Sequence, residues 1–328
     1  MASKRELGRG ERVVPGLWRL RLPLPWEGVP HCNAWAVASG SGFVLFDTGM
    51  HEPGSLAQLE RALDQVGLRL EQVRLIACTH AHADHWGQAA PIRDRAGCEL
   101  WISPNLEHAV RTATDPSQAL ARLLEVGRQS GVPPEALRRY AERAKDAASG
   151  VAQVLEPDRP LRDGVTIDTD LGQWTVHATP GHAPSHVCFF QRERRLLISG
   201  DHLLGRISLF FDFGWTPDPV GEFLRSLDVV ETLDARLCVS GHGRPFFDVP
   251  GHIEGNRRLV RERLDAALEA VRIEPRTALE IAPLVHDEPL TESTARWWIL
   301  ETLCYLTHLE KVGAVARAGE DGELWRAV

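Results

Sequence analysis

The stretch THAHADHWG, Thr79 to Gly87, decides how this chain folds and what chemistry it can carry. It follows the apolar run VRLIAC (73–78), which reads as a buried strand. Three histidines and an aspartate then fall within six residues: His80, His82, Asp84 and His85. A lone histidine is more often structural than chemical, but this crowding asks for a shared partner. A divalent metal is one, because zinc is held by imidazole nitrogen and carboxylate oxygen at about 2.0–2.2 Å, so the donors must converge. After a strand, alternate residues His80 and His82 point one way. Asp84 and His85 fall on the opening turn of the next helix and face a neighbouring spot.

One metal needs three or more protein ligands, and two need more. The chain offers them after other strand-like runs. TPGHAPSH places His182 after QWTVHA, LLISGDH places Asp201 after RRLLIS, and LCVSGHG places His242 after ARLCV. Each lies beside a glycine that lets backbone approach closely. Carboxyl ends of strands are where α/β proteins place their chemistry. Four strand ends carrying imidazole or carboxylate form a convergent pattern.

Around these motifs, short β-like runs alternate with helical stretches, as in PGSLAQLERALDQVG, where Leu56, Leu59 and Leu63 keep a helical spacing. The pattern predicts an α/β protein whose sheets are covered by helices. A helix-rich insert at about 105–150 interrupts the strand series and reads equally as a prop or a lid. From about Gly255 a long helix, two further helices and a terminal hairpin (GAVARAG, ELWRAV) suggest a small winged-helix-like unit. The expected division is 1–254 for the catalytic part and 255–328 for this tail.

With 328 residues, 43% hydrophobic and 25% charged, the chain has an ordinary globular composition. Its net charge of −8 gives no general attraction to phosphate backbones or anionic lipid, which argues against nucleic acid and membrane as partners. The polar MASKRELGRGERVV start and the lack of a long apolar run lead us to expect a cytoplasmic protein. The six scattered cysteines, with no CxxC pair, read as small core residues in a reducing compartment.

THAHADHWG, TPGH, SGD and GHG in this order resemble the metallo-β-lactamase superfamily, over roughly residues 12–250. The resemblance implies an αββα four-layer sandwich of two mixed β-sheets with metals at one edge. It also implies a partition of ligands: His80, His82 and His182 on one metal, Asp84, His85 and His242 on the other, and Asp201 bridging. Two Zn2+ ions are expected, although iron or manganese also suits such donors. Asp47, in FDTG, is expected to hydrogen-bond a metal-bound histidine. The tail is similar to winged-helix tails of some members, which include small-ester or thioester hydrolases and endoribonucleases.

Several residues read less sharply. His186 is expected to reach a supporting acceptor, His177 to lie on a strand, and His202 to point opposite to Asp201. His31, His51, His108, His252, His286 and His308 have no motif around them and read as ordinary. LFFDFGWTP (209–217) places three phenylalanines and Trp215 in a loop, where they could line an acyl pocket. Trp297 and Trp298 read as tail core or a homodimer contact.

The expected activity is hydrolysis of an acyl ester or thioester of a small molecule. A hydroxide shared by two metals is the attacking group, oriented by Asp84 as the catalytic side chain. Asp201 argues against a true β-lactamase. Leu204 stands where quorum-quenching lactonases carry tyrosine, which sets a lactonase behind the ester reading. The rival from another class is a metal-dependent nuclease using the tail, and its only basic candidate is EGNRRLVRER (254–263).

Overall fold

The computed structural model describes residues 7–26, 28–319 and 323–328. Its first sheet has seven strands in chain order: β1 (Arg9–Val14), β2 (Leu17–Trp26), β3 (Val29–Ser39), β4 (Gly42–Phe46), β5 (Val73–Ala77), β6 (Glu99–Ile102) and β7 (Arg159–Pro160). Strands β1 to β4 pair antiparallel, whereas β4 to β7 pair parallel. In β5 every residue but Arg74 is buried, as expected of a strand covered on both faces. Helices α1 (Ser55–Asp64), α2 (Ala83–Trp86) and α3 (Ala89–Ala96) belong to this half. Leu59, Trp86 and Ile92 from these helices join Leu45 and Ile76 of the sheet in one apolar cluster.

The insert follows as α4 (Glu107–Thr114), α5 (Pro116–Gln129) and α6 (Pro134–Ala144). The second sheet runs in the order β12 (Leu237–Ser240), β11 (Leu196–Gly200), β10 (Val187–Gln191), β9 (Gly172–Ala178) and β8 (Thr166–Thr169). Between the sheets, Phe46 meets Phe189 at 4.8 Å and Trp174 at 5.7 Å, the edge-to-face and tilted contacts that aromatic rings favour. On the outer face of the second sheet lie α7 (Pro219–Thr232), α8 (Val249–Ala270), α9 (Ala278–His286) and α10 (Ala295–Lys311). The result is the four-layer αββα sandwich of two mixed sheets.

A small third sheet closes the chain, β13 (Arg276–Thr277), β14 (Val315–Ala318) and β15 (Leu324–Ala327), with β15 in the middle. Helix α8 starts at Val249, earlier than the expected start near Gly255. Asp248 caps it by accepting from the Gly251 N–H at 3.0 Å, and Pro250 sits in its first turn, where a missing N–H costs nothing. No helix among the described residues is long and apolar enough to cross a membrane. All six cysteines are buried and free.

Strand direction explains where the polar residues collect. β4 and β5 are parallel, so Asp47 and Thr79–His80 leave the sheet side by side. β11 and β12 are also parallel, and β9 runs the same way because β10 is antiparallel to both β9 and β11. Their carboxyl ends deliver His182, Asp201 and His242 to one edge of the sandwich. Asn33 ties the halves together there, donating to the Ser240 carbonyl at 2.8 Å while its backbone N–H donates to Gly241 at 2.7 Å.

Candidate metal centre

The seven residues singled out from the sequence meet at this edge. His80 Nε2 and His182 Nε2 each lie 3.0 Å from His82 Nδ1. Alongside, His242 Nε2 is 3.2 Å from Asp84 Oδ2 and 3.2 Å from Asp201 Oδ2. His85 Nε2 faces Asp84 Oδ2 at 3.3 Å and Asp201 Oδ1 at 3.5 Å. Asp201 Oδ2 also reaches toward His182 Nε2, 3.8 Å away, so its carboxylate stands between the two groups. His80, His82 and His182 offer atoms close enough to hold one ion; Asp84, His85 and His242 offer another such set.

The outward nitrogen of every ring is tied to a partner. His85 Nδ1 donates to Asp47 Oδ2 at 2.9 Å, His182 Nδ1 to the Phe210 carbonyl at 3.0 Å, and His242 Nδ1 to the His31 carbonyl at 2.9 Å. His82 Nε2 donates to Asp212 Oδ2 at 2.9 Å. His80 Nδ1 meets Thr79 Oγ1 at 3.0 Å, and that hydroxyl in turn lies 2.9 Å from Asp47 Oδ2. With the outer N–H groups so used, the inner nitrogens of neutral rings present lone pairs to one another. Lone pairs 3.0 Å apart repel unless a proton or a metal cation lies among them. Burial works against charge on His82, but the Asp212 carboxylate outweighs it and raises that ring's pKa, so this half of the site favours positive charge.

Two further features fit a divalent ion. His85 Nε2 and Asp201 Oδ1 are buried and make no hydrogen bond, which is costly for polar atoms inside a protein. A side-chain carbon at Gly241 would overlap Asp201 Oδ1 and come within 2.7 Å of His85 Cε1, so glycine keeps the donors clear. Imidazole and carboxylate donors with hydrogen-bonded outer atoms are the set expected around zinc and similar cations.

Electrostatics point the same way. Burial, with His85, His82 and His182 close by, pushes the His80 pKa well below the usual histidine value, and burial takes His182 down to about 4. Both rings are therefore neutral donors at neutral pH. Burial also works against charge on His242, but Asp201 and Asp84 outweigh it and raise the pKa to about 10. Asp84 and Asp201 are themselves held below the usual carboxylate range: the neighbouring imidazoles overcome the burial penalty. This half of the site calls for positive charge.

Residues without an obvious motif complete the support. Asp212, overlooked in LFFDFGWTP, orients His82, and the neighbouring imidazoles hold its carboxyl at about 2 against burial. The one carboxylate among three phenylalanines was the available signal. His108 is not ordinary, since its buried Nε2 sits 3.8 Å from Asp212 Oδ2, and the backbone carbonyl of His31 anchors His242. His186 supports Asp201, accepting its backbone N–H at 3.1 Å while Nδ1 bonds Thr179 Oγ1 at 2.9 Å. Gly200, at φ +49°, permits this approach, since a side-chain carbon there would lie 2.7 Å from His186 Nε2. His177 lies on β9 away from the donors, and His202 packs on Phe223 at 4.8 Å.

Neither tyrosine reaches the centre. Tyr140 lines a cavity between α5, α6 and α10, and Tyr305 is buried with its hydroxyl donating to Glu301 at 2.6 Å. Trp298 stacks on His286 at 4.6 Å within the tail, but Trp297 turns toward Phe210, beside the donor histidines.

Comparison with known proteins finds relatives and structural neighbours across most of the chain. The probable metallo-hydrolase YqjP of Bacillus subtilis is 25% identical over 283 residues, covering 83% of this chain and 86% of its own. The atrochrysone carboxyl ACP thioesterase of Claviceps purpurea is 26% identical over 302 residues, covering 88% and 78%. In the crystal structure of the metallo-beta-lactamase family protein TTHA1429 from Thermus thermophilus, the match has a TM-score of 0.83 at 27% identity, covering 97% of this chain and 100% of the other. The match to the family spans residues 28–242, from the start of β3 to the last histidine of the centre, and this chain belongs to the metallo-beta-lactamase superfamily.

Proposed function

We propose that this metal-dependent hydrolase holds two zinc ions and cleaves an ester or thioester bond of a small acyl compound. The observation that carries the reading is Asp201, whose carboxylate stands between a three-histidine set and an Asp84–His85–His242 set. His80, His82 and His182 would hold one ion and Asp84, His85 and His242 the other, with Asp201 shared. A bound pair of this kind supplies a water that ionises near neutral pH and positive charge beside the reacting carbonyl.

The chain's own groups do the rest. Asp84, fixed by His242 and His85, presents a carboxylate that would accept a hydrogen bond from the attacking water and orient it. Asp47 and Asp212 keep His85 and His82 in one tautomer, inner nitrogen bare. No serine or cysteine nucleophile is required. The thioesterase name of the Claviceps relative supports an acyl thioester as substrate. The positions of both tyrosines support ranking a tyrosine-assisted lactonase lower.

Helix, strand, two helices and hairpin at the C-terminus fit the winged-helix-like reading, with the boundary near 254–255 falling inside α8. A nuclease stays second. The arginines of EGNRRLVRER are already engaged: Arg257 with Asp228 and Glu231, Arg258 with Glu262, Arg261 with Glu254, and Arg263 with the Val285 carbonyl. Small acyl compounds are therefore the proposed partners, rather than nucleic acid or membrane, and the buried free cysteines suit the cytoplasm.

The test is turnover of p-nitrophenyl esters, acyl thioesters, lactones and single-stranded RNA by the metal-loaded protein and His82→Ala. We expect ester or thioester turnover that the substitution lowers by at least about a hundredfold. Faster cleavage of RNA than of every acyl substrate would overturn the reading.

A further inference from the structure

Phe210 has two neighbours of different kinds. On one side its ring centroid lies 5.9 Å from His82 and 5.6 Å from His182, both metal donors. On the other it meets the Trp297 indole at 5.1 Å, and Trp297 meets Trp26 at 6.2 Å. These contacts are edge-to-face, the arrangement in which aromatic rings brace one another. The three rings come from distant parts of the chain: the end of β2, the loop beyond β11 and the first turn of α10. All three keep part of their surface exposed, unlike the fully buried Trp35, Trp174 and Phe189 of the core. An aromatic surface thus starts at the donor imidazoles and leads outward.

We propose that Trp297, together with Phe210 and Trp26, forms the acyl-side wall of the substrate site and selects bulky apolar acyl groups, medium-chain or flat aromatic, over acetyl. This rests on the acyl-hydrolase reading and adds the substrate class. The C-terminal helix then acts as a specificity element that reaches the catalytic edge. An acyl group lying along the wall would exchange water for indole and phenyl surface, which stabilises its complex in proportion to the area covered. A short acyl group cannot reach Trp297 and gains none of this. Arg296 lies over the Trp297 ring, 4.9 Å from its centroid, and steadies the indole.

The experiment compares wild type, Trp297→Ala, Trp297→Phe and Trp26→Ala, each metal-loaded and with metal content measured. Hydrolysis of acetyl, butyryl, octanoyl and 2-naphthoyl p-nitrophenyl esters is followed alongside calorimetric binding of 2-naphthoate and acetate. For Trp297→Ala we expect the octanoyl-to-acetyl ratio of kcat/KM to fall about tenfold, chiefly through KM, with most of the loss restored in Trp297→Phe. Trp26→Ala, in a different element, should shift the ratio in the same direction. An unchanged ratio in both alanine variants would overturn the wall, because mere packing of the tail affects all substrates alike. Should wild type hydrolyse no acyl ester, binding decides separately. Selective loss of 2-naphthoate affinity in Trp297→Ala keeps the wall while the hydrolase reading fails, and equal binding to all variants removes the wall as well.

Discussion

Asp212 shows how much of the centre depends on residues outside the seven that the sequence singled out. Its Oδ2 accepts from His82 Nε2, which leaves His82 Nδ1 as the bare nitrogen facing His80 and His182. Without that acceptor the ring is free to change tautomer or rotate. Asp212→Ala is therefore expected to weaken metal affinity about 10–100-fold while leaving the fold intact. Competition with a chromophoric chelator, alongside far-UV circular dichroism, measures both; unchanged affinity would refute the role. The seven residues that meet at the centre were legible in the sequence because they cluster within 80–85 or sit beside a glycine after an apolar run. Asp212 was not, because a single carboxylate in a loop has no periodicity to mark it. The carbonyls of His31 and Phe210 carry no side-chain signal at all.

Elements followed the same divide. β5, β11 and β12 are short apolar runs with clear ends, and their strand character was readable. β1 and β2 were not, since RGERVV and LWRLRLPLPW mix arginine and proline into the alternation. Arg19 sits buried in β2 because its guanidinium is engaged on all sides: by Asn33 Oδ1 at 2.8 Å, Glu11 at 2.9 Å, His31 Nε2 at 3.3 Å and the Gly243 carbonyl. Such a pairing depends on tertiary structure. In α8 the glycines at 251 and 255 masked a start that Asp248 and Pro250 signal.

Helix α10 holds a titration of its own. Buried Glu301 accepts from Tyr305, and burial raises its pKa from 4.5 to about 7. The folded chain thus keeps this proton longer than the unfolded chain, so stability falls as pH rises from about 4.5 through 7. Loss of the full difference amounts to roughly 3 kcal/mol. Glu301→Gln should remove that slope: its stability relative to wild type, from urea titrations between about pH 5 and 8, should rise with pH. A difference that stays flat would contradict this account of the helix.

At the scale of the molecule, two parallel strand systems end at the same edge, and the loops between them carry donors from both halves. The apolar cluster outside the second sheet runs unbroken from Cys188 and Leu197 to Tyr305 and Trp325, so the tail packs onto the catalytic sandwich. That packing brings Trp297 beside Phe210, a neighbourhood that a local reading of the Trp297–Trp298 pair could not reveal. The whole account depends on two donor sets sharing one carboxylate. Counting metal ions per chain by elemental mass spectrometry, in dialysed wild type and Asp201→Ala, tests it most directly. Two ions in wild type and no more than one in the variant are expected; a single ion in wild type, or two retained without Asp201, would contradict it.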